Sequence, residues 1–184
     1  MAFPVFLDTC TLFGQVLNDL LLSLAEQGCF APYWSTDVLD AMERNVAARR
    51  RTSAAAIGRR RELMERAFPE AIVDGFAALV DEMTNHPGDR HVLAACVVSP
   101  AHVIVTFNLK DFPEESLAPY DIEMIHPDDF VLDQLDLHPI WSKVAVESML
   151  RTNRLPPQDA HQLARALRDI GLPKSADAIK ELIA

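Results

Sequence analysis

The run Phe3-Pro4-Val5-Phe6-Leu7-Asp8 reads as a short strand that ends on an acid. A second run, His102-Val103-Ile104-Val105-Thr106, is β-branched through its middle and is followed by Asn108 and Asp111. An acid at the carboxyl end of one parallel strand, and another just past the end of a second, converge at the ligand-binding edge of an α/β sheet. Two carboxylates brought together there point to metal-assisted chemistry more than to packing.

The chain has 184 residues, enough for one sizeable core with a small helical appendage. Its make-up, 49 % hydrophobic and 24 % charged, is that of an ordinary globular protein and excludes global disorder. The most apolar early stretch, Val16 to Leu24, is interrupted by Asn18 and Asp19, so it is neither a membrane span nor a signal core, and a cytoplasmic location is expected. Cys10, Cys29 and Cys96 show no pairing or zinc motif, which fits a reducing compartment. The net charge of −10 argues against nonspecific coating of nucleic acid. That average hides an asymmetry: Arg44 to Arg66 holds eight arginines against Glu62 and Glu65, a net +6, and leaves −16 on the remainder.

Leu12, Val16, Leu20 and Leu24, with Leu17 and Leu21 beside them, predict a helix packed on the sheet and stopped by Gly28. Ser35 caps a second helix with apolar face Val38, Leu39, Met42 and Val46, on which Asp40 and Glu43 stand one turn apart. Residues 52–68 read as helix, and 71–83 as either helix or part strand. Asn85-His86-Pro87-Gly88 is a turn signal, after which Asp89 caps or opens a helix through Val98. A last strand is expected at Ile122 to Ile125. Beyond Pro127 come four helices, 129–137, 140–150, 158–169 and 175–183, too short to stand alone and so packed together or on a partner.

Leu7-Asp8-Thr9-Cys10, Trp34-Ser35 through Glu43, Asp89-Arg90-His91-Val92-Leu93-Ala94-Ala95 and Ile104 through Pro113 together resemble the PIN-domain family of metal-dependent ribonucleases, particularly the VapC-like toxins. The resemblance covers roughly residues 3–130, and the remaining C-terminal stretch is similar to the extra helical region of some longer toxins. It implies a three-layer α/β domain over 1–130 with a central, mainly parallel sheet, and a C-terminal helical region over 131–184. It also implies a catalytic and metal-binding set of Asp8, Glu43, Asp89 and Asp111, supported by Thr9, Thr11, Thr106 and Asn108. Hard carboxylate oxygens suit Mg2+, with Mn2+ as the alternative. The implied partners are an RNA substrate, a cognate antitoxin and a second copy of the chain, with no membrane.

Each of these residues also has a structural explanation. Asp8 could close a strand end, Asp89 could be only an N-cap, Glu43 could pair an arginine, and the threonines and Asn108 could close turns. Cys10 reads as a buried structural thiol, and Asp8-Thr9-Cys10-Thr11-Leu12 lacks the second acid of an aspartyl-phosphate enzyme's Asp-x-Asp-x-Thr. The six histidines show no one-turn metal pair, and His86 reads as a loop residue. Arg51, Arg59, Arg60 and Arg61 are candidate RNA-phosphate ligands; the same run could be a solvated surface or a site for an acidic partner. Two functions are compatible with this pattern: a metal-dependent endoribonuclease acting as a toxin, or a weakly catalytic or noncatalytic interaction module on the same scaffold.

Overall fold

The computed structural model describes residues 2–48 and 54–183. Strand β1 spans Phe3–Leu7, and its Val5, Phe6 and Leu7 are fully buried. It is followed by β2 (Phe30–Ser35), β3 (Ile72–Val73), β4 (Val103–Val105) and β5 (Glu123–Ile125), in the sheet order β3-β2-β1-β4-β5. The pairs β1 with β4, β2 with β3 and β4 with β5 run parallel. The fold is mixed α/β, a central parallel sheet flanked by helices with further helices at the C-terminus, as in PIN-like proteins.

The helices are α1 (Thr9–Phe13), α2 (Gln15–Glu26), α3 (Thr36–Ala48), α4 (Ala54–Ala67), α5 (Arg90–Val98) and α6 (Glu114–Leu117), then α7 (Pro127–Leu137), α8 (Pro139–Thr152), α9 (Ala160–Asp169) and α10 (Pro173–Ile183). They belong to two compact units. One contains Phe3–Phe13 and Ala31–Ile125; the other contains Gly14–Phe30 together with the chain from His126 onward. Among the described residues, no helix is long and apolar enough to cross a membrane.

In the sheet-bearing unit, the chain order has a consequence. The strands after β1 build outward on one side through β2 and β3, and β4 and β5 build outward on the other. The order therefore reverses between β1 and β4, the position at whose carboxyl ends α/β sheets bind ligands. Leu7 lies opposite Val105, so the next residues, Asp8 and Thr106, emerge side by side. Strand β2 is not marked by sequence pattern because Pro32 reads as a strand breaker. It is tolerated because pairing to β3 covers only Trp34 and Ser35. Residues 71–83 resolve into the two-residue β3 and a 3-10 turn at Ala77–Glu82. Ser35 does cap α3, its Oγ accepting from Val38 N at 3.3 Å.

The predicted single helix through Leu12 and Leu24 is divided at Gly14, whose backbone is extended (φ −76°, ψ 126°). Gly is a poor helix former, so the break falls there at little cost. Gly28 stops α2 as expected, with φ +75°. In the second unit, Leu17, Leu20, Leu21 and Leu24 of α2 are buried, and the helix packs on α8 and α9. Phe30 meets Phe130 edge to face at 4.9 Å.

The start of α10 is held by a buried acid on α7. Asp128 Oδ1 accepts from Ser175 N at 2.8 Å and Ser175 Oγ at 2.7 Å, and Oδ2 accepts from Lys174 N at 3.1 Å. The two amides among these donors are the orphan groups of a helix N-terminus, which a carboxylate satisfies best. Replacing Asp128 by Ala should strand them and cost roughly 2–4 kcal/mol, whereas Asp128→Asn should cost less. Urea unfolding followed by far-UV circular dichroism measures both, and an Ala variant as stable as the parent would show the cap to be dispensable.

Candidate metal centre

Asp8 follows directly on β1 and is 2 % exposed. Its backbone N donates to Val105 O at 3.2 Å, which extends the β1–β4 ladder by one bond. Its Oδ2 accepts from Thr106 Oγ1 at 2.7 Å and from Cys10 Sγ at 3.1 Å. Thr11 Oγ1 donates to Asp8 O at 2.7 Å, closing the turn into α1. Thr9 Oγ1 reaches Val38 O at 3.5 Å, so it ties α1 to α3. Asn108 contributes its backbone N, which donates to Thr106 Oγ1 at 3.0 Å. Cys10 is half-buried, with Sγ accepting from Phe107 N at 3.2 Å, and desolvation together with the Asp8 charge pushes its thiol up to about 12. It therefore stays protonated and is a donor, where sequence suggested only packing.

Asp89 takes the N-cap position of α5 yet makes no side-chain capping bond. Its carboxylate instead faces other acids. Burial, then the charges of Asp8 and Asp111, raise its pKa, and His91 and His86 oppose the shift. Asp111 closes a 3-10 turn at Leu109–Asp111, and its carbonyl accepts from His86 N at 3.1 Å, binding the two loops together. Ligand atoms of His86, Asp89 and Asp111 all lie within 4.8 Å of one another. His86 Nδ1 accepts from Gly88 N at 3.2 Å and sits 3.5 Å from Asp89 Oδ2. A Cβ on residue 88 would come within 3.3 Å of that ring nitrogen, so glycine permits the approach.

The fold thus brings Asp8, Asp89 and Asp111 into one electrostatic neighbourhood and adds His86, which sequence placed in a bland turn. The signal was present as a histidine three residues ahead of an acid across Pro87-Gly88, but a loop histidine has no helical spacing to betray it. Glu43 is placed differently. It shares Arg61 with Asp40 and Glu65, at 3.2, 2.5 and 2.9 Å respectively. Arg60 donates to Leu12 O at 2.6 Å and Phe13 O at 3.4 Å, capping the carbonyl end of α1. Arg59 is exposed, and Arg51 lies outside the described residues.

These carboxylates are a hard oxygen donor set joined by one imidazole, and Asp8 Oδ1 takes no hydrogen bond among the described residues. Such a cluster can coordinate a divalent cation.

Residues 127–181 match the family described as "VapC50 C-terminal domain". The chain is 43 % identical over 122 residues to a protein of Mycobacterium tuberculosis described as "Putative ribonuclease VapC50", covering 64 % of this chain and 72 % of that relative. No solved structure matches. A PIN-like sheet with acids at its switch point defines the class, and this chain belongs to the VapC50-like PIN-domain ribonuclease toxins.

Clustered acids repel one another when no cation is bound. Asp89→Asn should therefore raise the stability of the metal-free protein by about 1 kcal/mol, a few degrees in Tm, while weakening metal binding. Differential scanning calorimetry in chelator, with and without added Mn2+, checks both halves; a metal-free Tm below the parent's would contradict the repulsive cluster.

Proposed function

We propose that this chain is a divalent-metal-dependent endoribonuclease, the toxin of a toxin–antitoxin pair, with its ribonuclease domain over 1–130 and a helical region over 131–184. The observation that carries this reading is the placement of Asp8 at the carboxyl end of β1, beside the β4 end, together with the ligand atoms of His86, Asp89 and Asp111 lying within 4.8 Å of one another. Asp8, Asp89 and Asp111 would hold Mg2+, or Mn2+ in its place, with Glu43 as the fourth acid. A bound divalent ion supplies a lowered pKa for attacking water and neutralises charge developing on the phosphoryl oxygens.

The protein's own part is placement. Thr106 and Thr11 fix Asp8, and the short loops carrying Asp89 and Asp111 are pinned to each other by the His86–Asp111 backbone bond. Arg61 already neutralises Glu43 in part, so Glu43 is the member whose loss should matter least. Arg59 and Arg51 are the arginines of the run assigned to RNA phosphate; Arg60 and Arg61 complete the set but also hold the scaffold. RNA is the proposed substrate class on the similarity to a protein described as a ribonuclease, and its free 2′-hydroxyls are what set it apart from DNA. An antitoxin and a second copy of the chain are the assigned protein partners, and three free thiols suit a reducing cytoplasm.

Cleavage of RNA by purified protein should require Mg2+ or Mn2+ and stop in chelator. Asp8→Asn and Asp111→Asn should each lower the rate by about 100-fold or more, and Glu43→Gln by less, because a carboxamide keeps the shape but loses the ligand charge. Gel-resolved cleavage on preparations matched by circular dichroism decides the matter. Parental, metal-dependent cleavage by the folded Asp8→Asn, Asp111→Asn double variant would sink the mechanism, whereas no metal-dependent cleavage by the folded parent would leave the interaction-module reading standing.

A further inference from the structure

Asp8 is almost wholly buried, yet both of its side-chain hydrogen bonds fall on one oxygen. Thr106 Oγ1 accepts from Asn108 N at 3.0 Å, so its single proton is directed to Asp8 Oδ2. Cys10 Sγ accepts from Phe107 N at 3.2 Å, so its proton too is left for the same oxygen. The two donors touch each other at 3.4 Å and come from segments 96 residues apart. Oδ1 takes no hydrogen bond among the described residues, and the Asp8 carboxylate shares its field with Asp89.

We infer that Cys10 and Thr106 form a positioning clamp that holds Asp8 by Oδ2 and presents Oδ1 alone to the metal. The clamp rests on the proposed role of Asp8 as a metal ligand. Cys10 is thereby a positioning residue: it touches neither metal nor substrate and acts through Asp8. Partners of this kind orient a ligating carboxylate and strengthen binding at the other oxygen. A merely packed thiol would contribute volume only, and its replacement by serine would not depend on the hydroxyl's ability to donate.

The test is titration calorimetry of the full chain with Mg2+ and with Mn2+. Cys10→Ala should weaken metal affinity by about 10-fold, and Cys10→Ser, which keeps a donor, should stay within about threefold of the parent. A folded Cys10→Ala protein with parental affinity, or a serine variant no better than alanine, overturns the clamp. A measurement on the unmodified protein runs alongside: the S–H stretching band lost in Cys10→Ser should shift when Mn2+ is added, because Oδ2 becomes a weaker acceptor once Oδ1 is engaged. An unmoved band overturns the clamp even if the alanine variant fails to fold. Asp8→Asn separates the two levels. Parental affinity in that variant removes Asp8 as a ligand altogether, whereas lost affinity there with no effect at Cys10 removes only the clamp.

Discussion

The parallel pairing of β1 with β4, Leu7 against Val105, is the constraint on which the site depends. Side chains alternate between the two faces of a strand, so a slip of one residue would send Asp8 to the opposite face and away from Thr106. Burial opposes that slip. Val5, Phe6 and Leu7 on one strand and Ile104 and Val105 on the other are fully enclosed, and each large side chain so buried is worth roughly 1.5–3 kcal/mol. A hydrophobic register thereby fixes the position of a charged group that the core itself would reject.

The cost of that placement is visible around it. Burial, and after it the charges of Asp8 and Asp111, raises the pKa of Asp89. The nearby arginines do not all serve as a loose basic surface. Arg61 gathers Asp40, Glu43 and Glu65, and Arg60 closes the carbonyl end of the short helix that follows Asp8. Residues that look like a single charge run in the sequence therefore divide into scaffold and exposed members. A protein that concentrates like charge at one edge is less stable there, and functional sites are where such a conflict is tolerated.

Much of the architecture was legible because it rests on local rules. The strand runs ending at Asp8 and near Thr106, the cap at Ser35, the stop at Gly28 and the four Pro- and Gly-separated tail helices all arise from patterns a few residues long. Strand β2 was hidden by Pro32, and the break at Gly14 by an unbroken leucine rhythm on either side. That rhythm also conceals a topological fact: α2 sits in the compact unit of α7 to α10, although it is separated from them by the long segment Ala31–Ile125 of the other unit. No local pattern encodes which distant helix an apolar face will meet.

Sequence alone determined the residue types of the candidate site, since hard carboxylates at strand and helix termini announce a metal-binding chemistry wherever they converge. Only the tertiary structure decided the company they keep. His86 joins Asp89 and Asp111 because two loops are laced by a backbone hydrogen bond. Cys10 turns from packing to hydrogen bonding because Thr106 arrives beside it from a segment 96 residues away. Glu43 is drawn to Arg61 because α4 folds back against α3. Charge and hydrogen-bond partners act over a few ångströms in space, and distance along the chain says little about which groups will come that close.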